Sequence, residues 1–111
     1  MAIPKPGKPV RGSKTGAPIM ALFDLLGRRW AMGIIWQLSD GPLSFSELQK
    51  RCDRISPTIL STRIRDLCEA MLIERTLDGY GLTAKGEELF RILEPFKKWS
   101  ISWAKKLHDR T

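Results

Sequence analysis

Two helix-start signals in close succession constrain this chain more than anything else in it. Ser44, Phe45, Ser46 and Glu47 have the S-x-x-E form of a capping box. The Ser44 hydroxyl accepts the backbone N–H of Glu47, whose carboxylate reaches back to the N–H of Ser44. The second signal is Ser56 as N-cap with Pro57 at the first helical position, where proline's missing N–H costs no intrahelical bond. The first of these helices is predicted to end around Cys52 or Asp53, so Asp53, Arg54 and Ile55 form a short connection. The second should run to about Ala70. Leu60, Ile64, Leu67 and Met71 fall on one narrow stripe, predicted to be core, while Thr58, Ser61, Thr62, Arg65 and Glu69 take the opposite half.

The flanking segments complete a compact order of elements. Ile19, Leu22, Phe23 and Leu26 follow the i, i+3, i+4, i+7 pattern of one buried helix face, which Gly27 ends. A second helix is predicted from about Arg29 to Leu38, with Trp30, Ile34, Ile35 and Leu38 inward, stopped by Asp40, Gly41 and Pro42. After the Ser56 helix, residues 72–76 and 80–82 read as extended pieces around a tight turn at Asp78 and Gly79, a strong hairpin signal. Thr83 then caps a helix carrying Leu89, Phe90, Ile92 and Leu93. Pro95 breaks or kinks it, and a final helix carries Phe96, Trp99, Trp103 and Leu107 on one stripe.

Two helices across a short loop, followed at once by a hairpin, describe a winged helix-turn-helix: a mostly α fold with a small β-hairpin wing. The helix opening at Ser56 is then the reader, its N-terminal half entering a major groove about 12 Å wide. Ser56, Thr58, Ser61 and Thr62 are short hydrogen-bonding groups suited to base edges or phosphates, with Arg63 and Arg65 behind them as long cations. Lys50, Arg51 and Arg54 lie beside this helix as phosphate candidates. Arg75 and Tyr80 on the wing, with Lys85 after it, are candidate backbone contacts.

Charge points the same way. The chain has 19 Lys and Arg against 12 Asp and Glu, a formal net charge of +7. Residues 1–16 carry Lys5, Lys8, Arg11 and Lys14 with no acid, among prolines and glycines that sustain neither helix nor core strand. They read as a flexible basic arm on a single domain spanning residues 17–111. A basic domain with a more basic arm is attracted to polyanions, of which nucleic acid is the commonest soluble one.

Other chemistries find no support. Cys52 and Cys68 stand too far apart for a C-x-x-C pair and have no neighbouring histidine, so no zinc or haem spacing exists. No paired-carboxylate or Ser-His-Asp constellation marks an enzyme, and no cofactor is indicated. The longest apolar stretch, residues 30–36, is too short to span a bilayer, and no signal peptide is evident, so a soluble cytoplasmic protein is expected. A small-molecule effector is allowed for, but no residue pattern indicates one.

The stripe of Phe96, Trp99, Trp103 and Leu107 is too aromatic to face water on a monomer of this size. With Ile19, Leu22 and Phe23 of the first helix it predicts a two-fold interface between N- and C-terminal helices. Two readers about 34 Å apart then call for a pseudo-palindromic duplex site. The rival readings are a protein-interaction module that uses the fold as scaffold, and an architectural protein that binds duplex without sequence preference.

Several motifs together resemble one family. These are Pro18 through Gly27-x-x-Trp30; Gly41 through Leu48; Ile55–Ser56–Pro57 with Leu60–Ser61-x-Arg63–Ile64-x-x-Leu67; Leu72 through Arg75; and Tyr80-x-Leu82–Thr83-x-x-Gly86. Over about residues 17–107 the chain resembles the HxlR-type transcriptional regulators. The resemblance implies a dimeric winged helix, similar to the MarR group, that binds operator DNA and represses or activates nearby genes. The sequence departs from the family in two places. Many relatives carry a cysteine, in some a sensor of electrophiles or oxidants, where this chain has Ala17. The wing is also shorter than in relatives, which shifts recognition toward the reading helix and the arm.

Overall fold

In a computed structural model of the chain, residues 3–110 are described. The outermost positions assigned to the arm and to the domain, residues 1, 2 and 111, lie outside the described residues. The elements run α1 (Pro18–Leu26), α2 (Ala31–Gln37), a 3₁₀ turn (Leu38–Asp40), α3 (Phe45–Arg51), α4 (Pro57–Glu69), β1 (Ile73–Thr76), β2 (Gly79–Leu82), α5 (Ala84–Leu93) and α6 (Pro95–Asp109). The expected mostly helical architecture with one antiparallel hairpin is present.

The core gathers one face from each of the first five helices and the hairpin. Ile34, Ile35, Leu38, Leu48, Leu60, Leu67 and Ile73 are fully enclosed. Each such side chain contributes about 1.5–3 kcal/mol relative to exposure. Trp36 and Phe90 meet edge to face at 5.1 Å and close the core between α2 and α5.

Four local expectations are corrected. In α1 the buried residues are Ala21, Leu25 and Leu26; Ile19 and Phe23 are exposed and Leu22 is half-buried. The inward face is shifted from the expected one: Leu26 is shared, Ala21 and Leu25 take the buried positions, and Ile19 and Phe23 lie on the outer face. The second helix starts at Ala31 rather than Arg29, because Trp30 takes a left-handed conformation (φ 73°) that ends the preceding turn and lays its indole against the core.

Met71 is not core. The N–H of Met71 donates to the Cys68 carbonyl and that of Leu72 to the Leu67 carbonyl. This is a Schellman ending with Met71 at φ 62°, so the chain leaves the helix and the Met71 side chain points to solvent. The hairpin loop, finally, is Leu77–Asp78, with Thr76 paired to Gly79. The Thr76 hydroxyl accepts the Asp78 N–H at 3.1 Å and donates to the Gly79 carbonyl at 2.8 Å, moving the turn one residue back from Asp78 and Gly79.

Two glycines mark close approaches. Gly79 (φ 122°) has no space for a side chain, since a Cβ would lie 2.4 Å from the Leu43 carbonyl oxygen. Leu43 and Tyr80 exchange two backbone hydrogen bonds, of 2.9 and 2.8 Å, which tie the segment entering α3 to the wing. At Gly86 a Cβ would overlap the Leu72 carbonyl oxygen at 2.0 Å, so α5 sits directly on the end of α4. Thr83 locks the same junction: its hydroxyl donates to the Met71 carbonyl and accepts the Gly86 N–H.

No residue of α6 is buried. Its Trp99 and Trp103 stack on one another, with ring centroids 5.9 Å apart. No helix among the described residues is long and apolar enough to cross a membrane.

Candidate nucleic-acid interface

The candidate reader is held at both ends of its approach. At α3 both halves of the capping box form: Glu47 N–H to Ser44 Oγ at 3.1 Å, and Ser44 N–H to Glu47 Oε1 at 3.0 Å. The Ser44 backbone bond, then its side-chain bond, hold the Glu47 carboxyl below its ordinary pKa. Between the helices, Asp53 and Arg54 both adopt left-handed φ near 55°, at 54° and 55°. Gln49 fixes this strained turn, its side-chain Nε2 donating to the Ile55 carbonyl at 3.0 Å and its backbone carbonyl accepting the Arg54 N–H. Buried Ile55 pins the turn to the core. Ser56 then caps α4 by accepting the Ile59 N–H at 3.2 Å.

Thr58 and Arg65 are exposed on the side of α4 opposite Leu60, Ile64 and Leu67, Ser61 is exposed on its flank, and Ser56 is exposed at its N-cap. Thr62 is half-buried, and its hydroxyl donates to the Thr58 carbonyl at 2.9 Å. Lys50, Arg51 and Arg54 are exposed together at the end of α3 and in the turn. On the wing, the Arg75 guanidinium lies over the Tyr80 ring at 5.5 Å and reaches its hydroxyl at 3.4 Å, so the two form one cationic, aromatic surface. Lys85 pairs with Glu88 at 3.0 Å on the open surface. Leu77 at the wing tip is fully exposed.

Two of the sequence-predicted residues sit otherwise. Arg63, placed with the outward cations, turns sideways: its Nε donates to the Arg29 carbonyl at 2.8 Å and its Nη1 to Asp66 at 2.8 Å. It fastens α4 to the turn before α2. Leu22, placed in the subunit interface, packs against its own core. The remaining interface candidates, Ile19, Phe23, Phe96, Trp99, Trp103 and Leu107, are all exposed. The basic residues of the first segment, Lys5, Lys8, Arg11 and Lys14, are exposed too. Arg11 is tied down, with its backbone N–H and its guanidinium both on Asp24, at 3.2 and 3.1 Å.

Periodicity and motif reading missed the group around Asp66. This aspartate is only 2% exposed and takes Arg28 and Arg63 on the same oxygen, at 3.1 and 2.8 Å. The only sequence signal was the i, i+3 spacing of Arg63 and Asp66; the Arg28 partner lies thirty-eight residues away. Ile101 of α6 and Ile92 of α5 are further exposed apolar residues outside the predicted face.

Comparison with known proteins bears on this geometry. Residues 25–108 match the family model described as HxlR-like helix-turn-helix. The chain is 30% identical over 88 residues to the HTH-type transcriptional regulator MJ0925 of Methanocaldococcus jannaschii, covering 76% of this chain and 83% of that one. Quinone-bound YodB from Bacillus subtilis superposes with a TM-score of 0.70 at 33% identity, over 76% of this chain and 96% of YodB. A possible HxlR family transcriptional factor from Thermoplasma volcanium gives 0.69 at 32% identity, over 79% of this chain and 85% of that one.

Proposed function

The chain belongs to the HxlR-like helix-turn-helix family and is a transcriptional regulator of that type, and on that premise we propose that it works as a homodimer on a pseudo-palindromic operator. The observation that carries this reading is the exposed polar half of α4. Thr58, Ser61 and Arg65 face out from a helix whose start, preceding turn and inner face are all fixed. A rigid helix presents hydrogen-bonding groups to base edges with little ordering cost on binding. Ser56, Thr58 and Ser61 meet the groove near the helix start, and Arg65 forks onto a guanine. Lys50, Arg51 and Arg54 hold the backbone on one side; Arg75 and Tyr80 of the wing hold it on another. Lys85 adds long-range attraction, and Lys5, Lys8 and Lys14 reach along the duplex from the first segment. Arg63 works through position, keeping α4 at a fixed angle to the α1–α2 turn.

The two-fold partner covers α6. Phe96, Trp99 and Trp103 are 63%, 66% and 51% exposed. Aromatic side chains bury roughly 150–250 Å² each, so the three offer about 350 Å² per protomer, close to half of one partner's share of a standard interface. Ile19 and Phe23 of α1, also exposed, complete the same two-fold contact.

Fluorescence anisotropy with duplex fragments from the DNA flanking the gene, against random duplex of equal length, tests the reading. Tighter binding to one flanking fragment by at least about a thousandfold is expected of specific recognition. Equal binding to all duplexes would make the protein architectural, and no binding would make it an interaction module.

A further inference from the structure

A cleft of about 390 Å³ runs along one flank of α4, between that helix and the turn joining α1 to α2. Its walls hold four arginines, Arg11, Arg28, Arg29 and Arg63, against two aspartates, Asp24 and Asp66. The aspartates are already engaged. Asp66 takes Arg28 and Arg63, and Asp24 takes Arg11. The cleft therefore keeps an excess of positive charge that its own carboxylates do not balance.

Its place on the helix says what balances it. At about 100° per residue, Arg63 and Asp66 lie between the buried stripe and the outward face, and Thr62 stands at the border with that face. A helix with its side chains is about 10–12 Å across, and the major groove is about 12 Å wide. A flank of the reading helix thus faces a sugar–phosphate strand rather than bases. Arg29 is exposed there, and its guanidinium lies 5.9 Å from the centre of the Trp30 ring, which orients it and leaves its N–H edge for an anion. Its main chain is fixed to α4 by the bond from Arg63 Nε to the Arg29 carbonyl. Across the cleft, Arg11 is held by Asp24 through Nε and the backbone N–H, while its side chain stays 70% exposed.

We infer that this cleft is a phosphate site, in which Arg29 and Arg11 grip one phosphodiester of the operator backbone beside the reading face. The Arg28–Asp66–Arg63 group forms its rigid wall. The inference rests on the operator reading given above and adds to it a second clamp, built from the α1–α2 turn and the first segment. The Thr62 hydroxyl, whose hydrogen is bonded to the Thr58 carbonyl, borders the site without donating to it.

The test measures affinity against salt for the tightest duplex recovered from a randomised library and for a random duplex. Wild type is compared with Arg29→Ala, Arg29→Lys and Arg65→Ala. Each phosphate neutralised adds about 0.9 to the slope of log K against log salt; Arg11 is already balanced by Asp24, so Arg29 supplies the neutralising charge and Arg29→Ala lowers the slope by about 1.8 in a dimer. Between 50 and 200 mM salt its affinity falls roughly tenfold less than that of wild type. The preference for the selected duplex stays as in wild type, and Arg29→Lys restores most of the slope. Arg65→Ala does the reverse, eroding the preference. An unchanged slope in Arg29→Ala, or a loss confined to the selected duplex, overturns the phosphate assignment while leaving operator binding intact. Failure of wild type to prefer any duplex defeats the operator reading instead. A titration of inorganic phosphate, followed by NMR at the arginine Nε–H groups, separates the two sources of phosphate. Saturable binding at Arg29 with an unchanged DNA slope assigns the cleft to a free phosphorylated ligand and overturns the DNA assignment.

Discussion

Replacing Asp66 is expected to be among the most damaging single changes in the molecule. Its side chain is 3% exposed and serves Arg28 and Arg63 through one carboxylate oxygen, at 3.1 and 2.8 Å, with the two arginine side chains 14% and 19% exposed. Asp66→Ala removes the one carboxylate that both mostly buried guanidiniums contact. Breaking a buried pair from one side costs about 3–5 kcal/mol. The lower end applies here, because Arg63 keeps the Arg29 carbonyl and both guanidiniums keep some water. About 3 kcal/mol is a large part of the roughly 5–15 kcal/mol that holds a domain together, and corresponds to a fall in Tm of about 12–24 °C. Asp66→Asn keeps an acceptor and should lose about 1.5–3 kcal/mol, the range for a hydrogen bond to a charged group. Urea unfolding at fixed protomer concentration measures both. Single variants within 0.5 kcal/mol of wild type would refute the view that this triad holds α4 in place.

Three further outcomes are expected. Gly86→Ala sets a Cβ against the Leu72 carbonyl and should destabilise by about 1–3 kcal/mol in the same urea assay, whereas a neutral result would mean that α5 does not sit on the α4–β1 junction. Trp99→Ala with Trp103→Ala should convert dimer to folded monomer in sedimentation velocity and weaken duplex binding; an unchanged sedimentation coefficient would remove α6 from the interface. Burial pushes both thiols up, with the Asp53 carboxylate adding to this at Cys52. As pH rises through the ordinary thiol range the unfolded chain therefore loses its protons first, so stability falls with rising pH there. Iodoacetamide labelling at neutral pH, read by mass spectrometry, should be much slower in the native than in the urea-unfolded protein, and equal rates would contradict it.

What was legible in the sequence was local. The caps at Ser44, Ser56 and Thr83 each use a hydroxyl and an N–H three residues away, so spacing alone exposes them. The inward stripe of Leu60, Ile64 and Leu67 follows from helical period. Met71 fits the same period but lies past Glu69, the last residue of the helix, inside the turn that Leu72 closes, which periodicity does not register. The hairpin turn moved because one Thr76 hydroxyl bonds on both sides of it. Arg63 looked like an outward cation until Asp66 and the Arg29 carbonyl, brought in by packing, took up its donors. The arginine cleft was illegible for the same reason. Arg11, Arg29 and Arg63 are scattered along the chain, and only the fold brings them together.

Hydroxyl-radical footprinting on the tightest selected duplex, with stoichiometry from sedimentation equilibrium of the complex, tests the central claim most directly. The account predicts two symmetry-related protected patches about one helical turn apart, two protomers per duplex, and loss of the footprint's sequence dependence in Arg65→Ala. A single protected patch bound by one protomer, or a footprint that Arg65→Ala leaves unchanged, would contradict it.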